Sequence, residues 1–429
     1  MKAKDLYNYF LKSTGVATDS RQIEEGKLFI CLQGDHFNGN KFAAEAIEKG
    51  ASYVIVDDVE YLIEDELYVL VEDCLKSLQA LAHHHRMQFS IPVIGLTGSN
   101  GKTTTKELIN SVLSQQFSTT ATVGNLNNHI GVPLTVLNIN SNTAIALIEM
   151  GANHLKEIEL LAAIAAPTHG YITNFGKAHL EGFGSLEGVV RGKSELYQFL
   201  AKNSGICLIN SADPKQVSST QNQETFSFGT NSKATITIQN IDRGADENIV
   251  ILTEETEIIS QLKGAYNFTN IAAAVAFGRY FKIPAAKIKN AIEAYNPTNN
   301  RSQWYTTDSN TLVLDAYNAN PSSMKAALES FFSSKKEDQV LILGDMLELG
   351  SFADEEHQKI VDLIETKNIE EVLLIGPEFN KTKTSTSGFK KFDTTTSAIP
   401  YLQKKNFQNK TILIKGSRGI TLEVLKNYL

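Results

Sequence analysis

The chain has 429 residues, 42% of them hydrophobic and 21% charged, with a formal net charge of −8. That length is too great for one ordinary core and predicts two to three soluble globular domains. The acidic balance, without any basic run, excludes a nucleic-acid surface, and no apolar run reaches the roughly 18 residues that a membrane span needs. The amino terminus, Met1-Lys-Ala-Lys-Asp-Leu-Tyr7, lacks the apolar stretch of a secretion signal, so a cytoplasmic location is expected. Cys31, Cys74 and Cys207 stand singly, without the paired spacing of a zinc site, and read as free, mostly buried thiols.

In residues 1–84 the runs beginning at Lys27, Ser52 and Tyr68 predict strands, with a helix over 41–49, which makes a small α/β unit. Thr18-Asp19-Ser20-Arg21 precedes the first strand. Arginine offers paired planar donors and serine a hydroxyl, which suits a diphosphate, although a solvated loop explains the same cluster. Leu75 to Phe89 predicts a helix. Its His83-His84-His85 run cannot converge on one metal ion, because successive helical positions point about 100° apart, and a solvated surface is expected instead.

Val93 to Thr105 is the most informative stretch. The short apolar run from Ile91 to Leu96 predicts a buried strand, and the residues from Lys106 onward have helical spacing. Between them lie Gly98, Ser99, Asn100, Gly101, Lys102, Thr103 and Thr104. Glycines free the backbone N–H groups to face an anion, the helix start adds partial positive charge, Lys102 reaches the outer phosphates, and Thr103 offers a hydroxyl to magnesium. The strict nucleotide-loop pattern has a glycine at position 96, where this chain has leucine, and Gly98 takes its place.

Strand and helix signals alternate from there to residue 210, which predicts a mostly parallel sheet with ligands gathered at the carboxyl ends of its strands. Glu149 ends one strand, His179 lies in the loop after another, and Lys193 is placed at the start of a helix. A carboxylate and an imidazole can hold magnesium, although histidine is an unusual ligand for it. Asn127 and Asn128 belong to an amide-rich stretch suited to sugar and peptide hydrogen bonds, or simply to turns. Residues 225–262 predict an antiparallel patch without chemistry. Asn296 to Arg301 reads as a hinge. Beyond it, strands near 312, 340, 372 and 411 alternate with helices near 322–332, 354–367, 396–403 and 419–428, a second doubly wound unit. There Asn320 is a credible helix cap with Pro321 at the first helical position, whereas capping leaves Asp315 and Asn318 unexplained.

The loop Thr97 to Thr104, together with Glu149-Met-Gly, Ala178-His179-Leu-Glu, Lys193-Ser-Glu195, Asp315-Ala-Tyr-Asn-Ala-Asn-Pro321, Gly344 to Gly350 and Lys415-Gly-Ser-Arg418, resembles the Mur ligase family in order and spacing. The resemblance implies three domains: an N-terminal UDP-sugar-binding unit (1–84), a central ATP-binding unit (85–299) and a C-terminal Rossmann-like unit (300–429). Within the family the motifs are closest to the branch that adds D-alanyl-D-alanine to UDP-N-acetylmuramoyl-tripeptide. The implied activity is an ATP-dependent ligase working through an acyl phosphate in the cytoplasmic stage of peptidoglycan synthesis, as a monomer on small-molecule substrates. The implied roles are ATP binding by Gly98 to Thr104, Asn267, Arg301 and Asp315, and magnesium binding by Thr103, Glu149 and His179. Lys102, Glu149, His179 and Lys193 would be catalytic, with Lys193 a candidate for carbamylation. Substrate contacts fall to Ser20, Arg21, Asn127, Asn128, Asn318 and, for the incoming carboxylate at an expected helix start, Lys415, Ser417 and Arg418. Asn38, Asn40, His129 and Tyr266 depart from the family's usual residues. Two alternatives stay open: a relative adding another amino acid or glutamate, and a nucleotide-triggered binding switch.

Overall fold

Parallel pairing of short apolar strands, each followed by a crossover helix, generates most of the architecture. The computed structural model describes residues 1–241, 248–297, 301–333, 338–367 and 369–429. The expected hinge and the 299/300 division fall partly on residues 298–300, outside the described residues. In the first 70 residues, Val16–Ala17, Leu28–Ile30, Tyr53–Val56 and Tyr68–Leu70 form a four-stranded parallel sheet. The Cys74–Arg86 helix, capped by the Asp73 carboxylate accepting from Lys76 N, leaves this sheet and packs against the helices of the next. Its histidines are not all solvated as expected. His85 is buried against Phe10 and Phe89, with Nε2 2.7 Å from the Ile139 carbonyl, because an amino-terminal helix, Ala3–Leu11, covers that face.

The central sheet has seven strands, in the order 236–237, 225–229, 206–210, 169–172, 93–97, 145–149 and 119–121, all parallel. The expected antiparallel patch is therefore smaller than 225–262. Thr225–Gly229 and Ile236–Thr237 extend the parallel sheet, the short Pro214–Ser219 helix providing the crossover into the first of them. Only Gln239–Ile241, Val250–Leu252 and Glu257–Ile259 are antiparallel. Lys193 does not begin a helix. Ser185 caps Leu186–Lys202 by accepting from Gly188 N, which leaves Lys193 mid-helix.

The third sheet runs 303–306, 311–315, 411–415, 339–344, 371–375 and 389–392, parallel except for its first, edge strand. Near 419–428, where an α-helix was expected, the chain makes two 3-10 segments, Arg418–Ile420 and Leu422–Tyr428. The strand Val93–Thr97 lies inside the central sheet between His169–Ile172 and Ile145–Glu149, so their carboxyl ends converge on one place.

All three thiols are buried, and burial pushes Cys31 and Cys207 up to about 12 and Cys74 higher than its ordinary value. At pH 8 the native protein should therefore leave a thiol reagent such as Ellman's unreacted, and three thiols per chain should react in denaturant. Rapid labelling of the native protein would contradict this packing.

Candidate active site

The loop after Val93–Thr97 is shaped by close backbone approach. Gly98 has φ +142° and Gly101 φ +78°, and a Cβ at Gly98 would sit 2.0 Å from Thr173 Oγ1. Neighbouring side chains hold the loop open. Thr173 Oγ1 and Asn174 Nδ2 donate to the Asn100 carbonyl at 2.6 and 2.9 Å, Asn100 N donates to Asn174 Oδ1, and Ser99 Oγ donates to the Gly176 carbonyl at 2.8 Å. The Lys102–Leu113 helix starts directly behind, so its free N–H groups face the loop. The Lys102 ammonium folds back to donate to the Gly98 carbonyl at 2.8 Å. Burial pushes its pKa down, and the nearby Glu149 carboxylate acts in the opposite direction.

Glu149 is buried. Its Oε1 accepts from Asn127 Nδ2 at 2.8 Å and from the Thr103 hydroxyl at 3.2 Å. Its Oε2 accepts no hydrogen bond, and the nearest cation is Lys106 Nζ at 3.9 Å. A buried carboxylate oxygen left without a donor is costly. That orphan oxygen beside a threonine hydroxyl fits a hard divalent cation such as magnesium. Among the described residues no group of three or more His, Cys, Asp or Glu could hold a metal, so water or phosphate oxygens would have to complete its shell. His179, the third predicted ligand, lines the same cleft, but its Nδ1 lies 2.5 Å from Glu348 Oε2. The imidazole holds the Glu348 carboxyl below its usual range. Both residues are non-glycines at positive φ, 52° and 63°.

Lys193 lies behind this wall. Fully buried, its Nζ donates to the Ala152 carbonyl at 2.9 Å and sits 5.1 Å from the Phe183 ring centroid. Burial first, and then the Lys102 charge, hold its pKa well below the usual lysine value.

The third unit closes the cleft. Asn320 caps Pro321–Phe332 and donates from Nδ2 to Asn100 Oδ1 at 2.7 Å. Lys177 N donates to Ser322 Oγ at 2.7 Å, and Lys177 Nζ lies 2.6 Å from Glu356 Oε1. Arg301 stacks on Tyr317, 3.7 Å from the ring centroid. Asp315 pairs with Lys415 at 2.6 Å and accepts from Ser302 N, and the Tyr266 hydroxyl lies 2.8 Å from Ser302 Oγ. Ser99 to Thr104, Asn127, Asn128, Glu149, His179 and Asn267 thus share one cavity of about 1060 Å³ with Arg301, Asp315, Asn318 and Lys415.

Other predicted residues lie elsewhere. Arg21 is exposed and paired with Asp19 at 2.7 Å, and Ser20 is buried beside it, both in the first unit and outside the cavity. Ser417 is buried, with its hydroxyl shared between Leu347 N and the Ala319 carbonyl, and exposed Arg418 donates to the Tyr317 hydroxyl. The segment there is a three-residue 3-10 turn, so the expected helix-start anion site is not formed. Asn128 spends its Oδ1 on the amides of Ile130 and Gly131. Asn40 is buried and donates to Asp57, a structural use of that departure. Sequence reasoning passed over Asn174, Lys177, Lys215 and Glu348. Glu348 stands inside the Gly344 to Gly350 motif, and Asn174 and Lys177 in the loop that carries His179, whereas Lys215 carried no signal beyond following a strand.

Comparison with known proteins gives this arrangement a family. A model of the Mur ligase middle domain matches residues 96–278, one of the Mur ligase glutamate ligase domain matches 300–418, and one of the Mur ligase family catalytic domain matches 12–86. The UDP-N-acetylmuramoyl-tripeptide--D-alanyl-D-alanine ligase of Bacillus subtilis is 35% identical over 424 residues, spanning 95% of this chain and 91% of that protein. The chain belongs to the Mur ligase family. The enzyme of the same name from Escherichia coli is 32% identical to this Mur ligase over 95% of its chain and 92% of the relative. A crystal structure of MurF from Acinetobacter baumannii matches it with a TM-score of 0.88 at 29% identity, covering 99% of this chain and 98% of that one. A three-domain α/β fold, expected from the sequence, is thereby established.

Gly98→Ala should strain the loop by about 1–3 kcal/mol and weaken nucleotide binding about 5- to 150-fold. Calorimetric titration with ADP checks this, and an unchanged affinity would remove the loop from the binding site.

Proposed function

We propose that this Mur ligase uses ATP to join D-alanyl-D-alanine to the terminal carboxylate of UDP-N-acetylmuramoyl-tripeptide, in the cytoplasmic stage of peptidoglycan synthesis. The reading rests on one observation above the others: a phosphate-type loop and the facing side chains of a second α/β unit line a single cleft with a donor-poor carboxylate on its floor. The names of the relatives at 35% and 32% identity, matched over nearly their full length, supply the substrates.

A carboxylate is a poor acyl donor because oxide is a poor leaving group. An oxygen of the tripeptide carboxylate therefore attacks the γ-phosphorus, and ADP departs. The dipeptide amine then attacks the acyl carbon, loses a proton, and phosphate leaves with its bonding pair. Lys102, released from the Gly98 carbonyl, offers its charge to the transferred phosphoryl group, and the loop amides hold the remaining phosphates. Asn267, Arg301 and Asp315 face the nucleotide. Thr103 and Glu149, with His179 at the rim, would hold magnesium, which supplies charge neutralisation when bound. The contacts between the central and third units, Asn320 with Asn100 and Lys177 with Ser322, keep water from the reactive intermediate. Ser20 and Arg21 hold the UDP end from the first unit, while Asn127, Asn128 and Asn318 contact substrate within the cleft.

Lys193 is the amine we propose to be carbamylated. Burial lowers its basicity, which favours the neutral nitrogen that attacks carbon dioxide; the amine proton is lost, and the carbamate anion would offset the buried Lys102 charge. Because the cleft is built from one chain, a monomer suffices. ATP is a cytoplasmic metabolite, and among the described residues no helix is long and apolar enough to cross a membrane.

Phosphate release measured with ATP, magnesium and UDP-muramoyl-tripeptide should require D-alanyl-D-alanine, and neither diaminopimelate nor glutamate should replace it. Release indifferent to the acceptor would favour a nucleotide switch. Lys102→Ala should lower turnover by roughly two or more orders of magnitude without unfolding the protein. Incubation with ¹³C-bicarbonate should give a carbamate NMR resonance that Lys193→Ala abolishes, and its absence from the parent protein removes the carbamate.

A further inference from the structure

Joining the dipeptide requires a grip on its carboxylate as well as its amine, and the cleft's cations are unequally available. Lys102 belongs to the phosphate loop. Arg301 stacks on Tyr317 close enough for its charge to depress Lys102, which places it on the nucleotide side. Lys415 is neutralised by Asp315 at 2.6 Å. Lys215 remains. It lines the cavity, makes no ion pair among the described residues, and its Nζ reaches only the Phe175 carbonyl at 3.5 Å.

Its position is fixed by the backbone beneath it. Pro214 starts the Pro214–Ser219 helix, and Asp213 accepts from the amides of Lys215 and Gln216 at 2.9 and 3.3 Å. Buried Gln216 accepts from Asn210 N and donates to the Ile172 carbonyl, tying the helix start to the ends of two central strands. The Asp213 carboxylate is thereby occupied with backbone and amide donors. Sheet order separates the reactants. Glu149 and the 125–129 loop lie on one flank of the phosphate-loop strand, where Gln79 of the first unit donates to the His129 carbonyl. Lys215 follows the second strand out on the opposite flank. There Phe175 adjoins Gly176, which accepts from Ser99 of the phosphate loop and abuts Ser322 of the third unit.

We propose that Lys215 is a specificity-determining residue that binds the carboxylate of the incoming dipeptide. This rests on the ligase reading and adds to it the group that selects a free carboxyl terminus. It takes the part that sequence reasoning gave to Lys415, Ser417 and Arg418.

The test compares D-alanyl-D-alanine with its C-terminal amide as acceptors for the parent enzyme and Lys215→Gln. The parent should prefer the free acid by about 10- to 100-fold in kcat/KM, the size of one charge-assisted hydrogen bond. Lys215→Gln should lose that factor with the acid and change little with the amide. KM for ATP and for UDP-tripeptide should hold, which also reports an intact fold, and Lys215→Arg should recover most of the preference. An acid-to-amide ratio in Lys215→Gln equal to the parent's, or a loss falling on ATP or UDP-tripeptide instead, overturns the assignment. A parent enzyme that joins neither acceptor sinks the ligase reading itself.

Discussion

A carboxylate oxygen buried without a donor, with a desolvated lysine nearby, sets the terms for the rest of this structure. Glu149 Oε2 has only Lys106 at 3.9 Å, and Lys102 is turned back onto a backbone carbonyl of its own loop. Each arrangement is inferior to what phosphate oxygens and a divalent cation would provide. The cleft is thus arranged to gain stabilisation when charge arrives, and under the proposed mechanism the same groups would stand where charge develops during phosphoryl transfer.

The sheet order makes that convergence possible. The phosphate-loop strand is flanked by the strand carrying Glu149 and by the strand leading to Asn174 and His179, so loop, carboxylate and imidazole emerge side by side. Residues 174–181 then serve two masters. Their inner side holds the phosphate loop through Asn174 and Gly176, and their outer side meets the third unit through Lys177 and His179. A movement of the third unit is therefore felt directly at the glycine loop, through contacts of one hydrogen-bond length. The two left-handed residues His179 and Glu348 face each other across this junction.

How much of this was legible in the sequence depended on range. The phosphate loop was readable because strand, glycines and helix follow one another within fifteen residues, and the Asn320-Pro321 cap because capping is local chemistry. The mid-helix place of Lys193 was not legible, because the cap that starts its helix, Ser185, lies well upstream of the residue. His85 was misjudged because its burial comes from the amino-terminal helix, a contact between segments far apart in the chain. The pairing of His179 with Glu348 has the same character: each residue stood in a visible motif, but only the fold places the two motifs face to face. The carboxyl-terminal Lys415-Gly-Ser-Arg418 motif was misleading for the converse reason. Its polar residues look available in sequence and prove committed, Lys415 to Asp315 and Ser417 to two loops.

Activation of a carboxylate by phosphorylation is the step that every group in this cleft is proposed to serve. Oxygen-18 placed in the terminal carboxylate of UDP-N-acetylmuramoyl-tripeptide gives the most direct reading, followed by mass analysis of the phosphate released in a single turnover with D-alanyl-D-alanine. Transfer through an acyl phosphate predicts one labelled oxygen in each phosphate. Unlabelled phosphate alongside normal product formation would contradict the account.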